Sequence, residues 1–122
     1  MSKLQYRWPQ GSFTCEAGEF MWRCYLGDDV GTDAVDYYAA PARATDLSGL
    51  PEAFVDVGSA EPFRDECVQF ASGLWRAGVQ CELYVAPGGI HGYDGIAPES
   101  EIARKTKRIR SEWVKRVFGK KE

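Results

Sequence analysis

Two short apolar runs with one helix-period segment between them constrain this chain more than any other feature. Ala53-Phe54-Val55-Asp56-Val57-Gly58 is mostly apolar and closed by glycine, which reads as a buried strand. Gln80-Cys81-Glu82-Leu83-Tyr84-Val85-Ala86 alternates and runs into Pro87-Gly88-Gly89, a strand ending in a turn. Between them Cys67, Phe70, Ala71 and Leu74 recur at i, i+3, i+4 and i+7, one apolar helical face. That helix is expected to run from Asp65, placed to cap it, to Ala77. Gly78 would end it in the left-handed conformation, with Val79 as the hydrophobic contact. Two strands joined by a helix should be parallel neighbours with a right-handed crossover. Their carboxyl ends then open on the same sheet edge, where α/β proteins bind ligands and do chemistry.

A second helix of about five turns is expected after Pro98, which suits a first helical position, with Glu99 and Glu101 where the dipole favours acid. Its buried stripe is Ile102, Thr106, Ile109, Trp113, Val114 and Val117. The first twenty residues show no period, and Met21–Leu26 alternates loosely enough to read as extended chain. Gly27–Leu50 is rich in Gly, Asp, Ala and Pro and reads as connecting structure with one short helical turn. The expected organisation is an irregular N-terminal segment and connection over 1–45, then an α/β unit over 46–122, without internal repeats.

At 122 residues the chain is one modest domain, and 44% apolar with 27% charged residues excludes disorder and low complexity. A net charge of −3 is too mild to imply a nucleic-acid or membrane partner. Residues 99–122 carry nine Lys/Arg against four Asp/Glu, which on a helix is usually a solvated face. No apolar stretch approaches a membrane span, and the opening residues lack a hydrophobic core, so a secretory signal is not expected. Four cysteines without a C-x-x-C pair and a single histidine argue against structural zinc and for buried thiols in a reducing, cytoplasmic compartment.

The chemistry-bearing residues follow the two strands. Ser59-Ala60-Glu61-Pro62-Phe63-Arg64-Asp65-Glu66 comes after the first, and Pro87-Gly88-Gly89-Ile90-His91-Gly92-Tyr93 after the second. A carboxylate after one strand and the only histidine after its neighbour is the layout of an acid–histidine pair. The acid fixes the imidazole tautomer, and the histidine serves as general base. The pair is expected within hydrogen-bond reach. Asp65 is the alternative acid, although helix capping is its plainer use.

In this context the chain resembles the C-terminal part of α/β-hydrolase esterases and lipases of the hormone-sensitive-lipase-like group. The likeness lies in Asp46-Leu47-Ser48-Gly49-Leu50-Pro51, Val57-Gly58-Ser59-Ala60-Glu61, Arg64-Asp65-Glu66, Ala77-Gly78-Val79 and Pro87-Gly88-Gly89 through His91-Gly92-Tyr93, with Tyr38–Arg43 ahead of them. The resemblance implies an α/β-hydrolase fold, a Ser-His-acid triad and hydrolysis of small acyl esters without metal or organic cofactor. In the family the acid commonly opens a D-P-L-R-D-E stretch; here Glu61-Pro62-Phe63-Arg64-Asp65-Glu66 places glutamate in that register, an accepted triad acid. His91 takes the place of the triad base.

The family also needs a nucleophile in G-x-S-x-G and an oxyanion loop of the H-G-G-G type, and neither motif occurs in this sequence. The nearest mimic, Gly27-Asp28-Asp29-Val30-Gly31, has Asp29 at the serine position. The chain is therefore expected to supply the acid and the histidine and to be inactive alone. The alternative is a non-catalytic interaction module or hydrolase remnant, with the sheet edge and basic helix docking a hydrolase-like partner or a second copy.

Overall fold

A computed structural model of the chain describes residues 13–119. Helix α1 spans Cys15–Leu26, strand β1 Ala53–Gly58, helix α2 Arg64–Arg76, strand β2 Cys81–Ala86, the single-turn helix α3 Tyr93–Ile96, and helix α4 Glu101–Phe118. One-turn 3-10 helices at Gly27–Asp29 and Pro41–Arg43 punctuate the long connection ahead of β1, two turns where one was expected.

β1 and β2 pair in parallel, Ala53 opposite Cys81 through Gly58 opposite Ala86. The two-residue side-chain period sorts the strands onto two faces. Ala53 and Cys81 turn toward α2 and join Leu47, Leu74, Val79, Phe70, Ala77 and Ala44 in one apolar cluster. Ala86 turns the other way and packs with Tyr93 and Ala103, flanked by Tyr84, Ile90 and Ile102. On that same face Phe54 stacks against Trp113 with ring centroids 5.7 Å apart. Helix α2 thus lies on one face of the sheet and α4 on the other, but the strands expected to be buried are mostly half-buried, with only Val57, Gly58 and Ala86 fully covered. Leu74 is the best-buried large side chain at 1% exposure, worth about 2 kcal/mol of removed apolar surface.

Helix ends account for most departures from expectation. α2 ends as anticipated: Gly78 sits at φ +76°, its N–H bonds to Trp75 O at 3.0 Å, and Val79 N–H reaches Leu74 O at 2.9 Å. Its start differs, because Asp65 is not the cap. The helix begins at Arg64 without a side-chain cap, and Asp65 instead accepts from Arg64 Nε at 3.0 Å. α4 begins after Pro98 and Glu99, with Ser100 Oγ accepting from Ala103 N–H at 3.3 Å. A short hydroxyl side chain satisfies an orphan N–H that proline's ring cannot reach. Val114 lies at 44% exposure, outside the buried stripe, whereas Ala103 and Thr106 are fully buried.

Met21–Leu26 is helical, not extended. Thr14 Oγ1 accepts from Ala17 N–H at 3.1 Å and Glu16 occupies the first turn, so capping and dipole outweigh the loose alternation. Residues 15–20, expected to be irregular, form the first half of the same helix, while the residues before Phe13 lie outside the described residues. Asp29, at the serine position of the elbow mimic, lies in a 3-10 turn that follows a helix, so the strand-to-helix geometry of a nucleophile elbow is absent there.

Candidate active site

The carboxyl ends of β1 and β2 are drawn together by backbone contact. Ser59 N–H bonds to Ala86 O at 2.9 Å, Ala60 N–H to Gly89 O at 2.9 Å, and Gly88 N–H to Ser59 Oγ at 2.7 Å. The approach requires glycine on both sides. A Cβ on Gly58 would stand 2.1 Å from Gly89 O, and one on Gly89 would meet the Tyr93 ring at 2.9 Å. Gly88 adds a left-handed turn at φ +72°.

This crossing brings the two loops face to face. Glu61 Oε2 lies 2.5 Å from His91 Nδ1, thirty residues along the chain. The Glu61 side chain is 9% exposed and that of His91 45%, so the acid is sunk in the protein while the imidazole reaches toward solvent. A carboxylate only accepts, so Nδ1 is the protonated nitrogen and Nε2 the basic one. Phe13 and Phe63 flank the imidazole at 5.0 and 5.5 Å between ring centroids. Asp65 is directed to Arg64, whose Nη1 also donates to Ser59 O at 2.9 Å, bracing the turn that carries Glu61.

Burial pushes the Cys67 thiol up to about 11, with the charges of Glu61, Glu66 and Asp56 adding to the effect. Among the described residues, no group of three or more His, Cys, Asp or Glu side chains is arranged to hold a metal ion.

Some contacts around the site were not anticipated. Arg110 on α4 grips Asp56 through Nε at 2.9 Å and Nη2 at 3.0 Å, and reaches Asp94 Oδ2 at 3.3 Å. Tyr93 and Thr106 bond through their hydroxyls at 2.6 Å. The available signal was Asp56 itself: a carboxylate inside an apolar strand needs a partner.

A parallel strand pair with an acid–histidine contact at its carboxyl ends suits an α/β hydrolase, and comparison with known proteins identifies the family. The sequence profile of a family described as alpha/beta hydrolase fold matches residues 3–95. Over 58 residues the chain is 40% identical to the esterase LipI and 45% to the carboxylesterase NlhH, both of Mycobacterium tuberculosis, covering 48% of this chain and 18% of each relative. The structure superposes on esterase LipW of Mycobacterium marinum with a TM-score of 0.80 at 32% identity, over 88% of this chain and 33% of that one. An esterase of Pyrobaculum calidifontis gives 0.77 at 30% identity, over 86% and 33%. The chain belongs to the α/β-hydrolase fold family, in its esterase and lipase group related to hormone-sensitive lipase. It spans about a fifth to a third of the length of these relatives.

Proposed function

We propose that this chain is the acid–histidine arm of a serine carboxylester hydrolase acting on small acyl esters. The observation that carries this reading is the 2.5 Å contact between Glu61 Oε2 and His91 Nδ1 at adjacent strand ends. In the assembled enzyme a serine from a nucleophile-bearing portion would attack the acyl carbonyl while His91 Nε2 takes its proton. The imidazolium then returns that proton to the departing alcohol oxygen, and a water deprotonated by the same nitrogen releases the acid from the serine. Glu61 keeps the proton on Nδ1 and stabilises the imidazolium through each transfer. The reading calls for no metal or organic cofactor, no nucleic acid and no membrane; a cytoplasmic location is inferred separately, from four cysteines that suit a reducing compartment. The partner it requires is the remaining part of a hydrolase.

The chain alone should therefore hydrolyse a short-chain p-nitrophenyl ester no faster than its His91→Ala variant, and a fluorophosphonate probe should leave it unlabelled. Stoichiometric labelling of a serine, or hydrolysis that depends on His91, would show that this chain holds its own nucleophile and would overturn the division of labour.

A further inference from the structure

The histidine loop is weakly self-supporting. Gly88, Gly89 and Gly92 surround Ile90 and His91, and Gly88 and Gly92 both sit at positive φ, so the backbone there has more conformations to lose than most segments. Ser59 and Ala60 hold its start at Gly88 and Gly89, and α4 holds its end, through the two residues that follow Gly92. The first anchor is Tyr93, whose hydroxyl meets Thr106 Oγ1 at 2.6 Å in the buried interface. Thr106 gives its own proton to Ile102 O at 3.0 Å, so Tyr93 is the donor in that bond. The second anchor is Asp94, whose Oδ2 accepts from Arg110 Nη1 and Nη2 at 3.3 Å each. The same guanidinium forks onto both oxygens of Asp56 at 2.9 and 3.0 Å. Asp56 lies in β1, the strand that leads to Glu61. One arginine thus ties the strand carrying the acid to the turn carrying the base.

We propose that Arg110 and Thr106 are positioning residues, which hold His91 so that Nδ1 stays on Glu61. Neither touches His91; they act through Asp94 and Tyr93. The proposal rests on reading Glu61–His91 as the working pair, and the experiment separates failure of the one from failure of the other.

His91 is the only histidine in the chain, so 15N-histidine labelling gives an unambiguous spectrum. For the neutral ring, the nitrogen shifts report which nitrogen carries the proton. The wild-type chain should show the Nδ1–H tautomer in excess. Asp94→Asn keeps the fork between Arg110 and Asp56, and therefore the α4–sheet contact, while weakening the tie to the loop. Thr106→Val keeps shape and removes the acceptor. Each variant should lower the Nδ1–H to Nε2–H ratio by about 2- to 10-fold, the factor set by one hydrogen bond of ordinary net strength. Thr106→Ser should restore it, and Glu61→Gln should abolish the excess. A melt alone would register a merely structural role; the tautomer ratio registers placement of the ring. If Asp94→Asn and Thr106→Val leave the ratio unchanged while Glu61→Gln changes it, the positioning role is refuted and the pair survives. If Glu61→Gln also leaves it unchanged, the pair itself is refuted.

Discussion

Gly58→Ala should be far more damaging than one added methyl normally is. The new Cβ would lie 2.1 Å from the Gly89 carbonyl oxygen and 2.6 Å from its carbon. Both obstacles are backbone, and Gly89 is itself pinned by its N–H to Ala86 O at 3.1 Å. The strand end and the histidine loop must part by more than about an ångström to reach ordinary contact. Overpacking of this kind costs about 1–3 kcal/mol. Parting also breaks the bond from Ala60 N–H to Gly89 O, a further loss of roughly 1 kcal/mol. Together these give about 2–4 kcal/mol, which for a domain of this size lowers the melting temperature by about 10–20 °C. Thermal unfolding followed by circular dichroism would read it, with Gly95→Ala as the control. A Cβ at Gly95 meets nothing within 4 Å, so that variant should melt close to wild type. Two outcomes would refute the close-approach argument: Gly58→Ala melting with the control, or Gly58→Ala retaining the Glu61–His91 contact at its wild-type separation.

Leu74→Ala should cost about 3–5 kcal/mol in urea unfolding, because it empties the centre of the α2 cluster; a loss under about 1 kcal/mol would contradict the packing. With its thiol raised from 9.0 to about 11, Cys67 should be alkylated by iodoacetamide about a hundredfold more slowly at pH 8 than an ordinary thiol, accelerating as pH climbs toward 11. Glu61→Gln removes one of the charges raising that thiol, so Cys67 should react faster in the variant. The chain alone should bind a hydrophobic dye or self-associate, since Phe20, Tyr38 and Phe118 are 70%, 83% and 75% exposed; a dye-free monomer in sedimentation would contradict this.

The strand–helix–strand unit was legible because each piece carries a local signal: two apolar runs, a helical stripe, and a glycine where the chain must turn left-handed. The approach of Glu61 to His91 was legible one step further on, since parallel neighbours must open at the same edge. Helix α1 was not. Gly18 and the loose alternation of Met21–Leu26 masked a helix whose clearest mark is the cap at Thr14, three residues from the N–H it satisfies. The starts of α2 and α4 were misplaced because several polar residues stood near each, and only geometry decides which of them turns inward. The Arg110 fork spans 54 residues to Asp56, a pairing that no local pattern encodes. Asp56 and Thr106, polar residues within apolar stripes, each demanded a partner without saying which.

The most direct test of the Glu61–His91 pair as a working catalytic arm is the kcat/KM of a chimaera. In it this chain replaces the matching third of the LipW esterase, and the remaining two thirds of that enzyme are kept unchanged. The account predicts ester hydrolysis that falls by about 10⁴-fold or more in His91→Ala and by a further measurable but smaller factor, about 10²–10⁴-fold from the parent, in Glu61→Gln. An active chimaera whose His91→Ala variant hydrolyses within about tenfold of the parent would contradict it, because removing a triad base is never that mild.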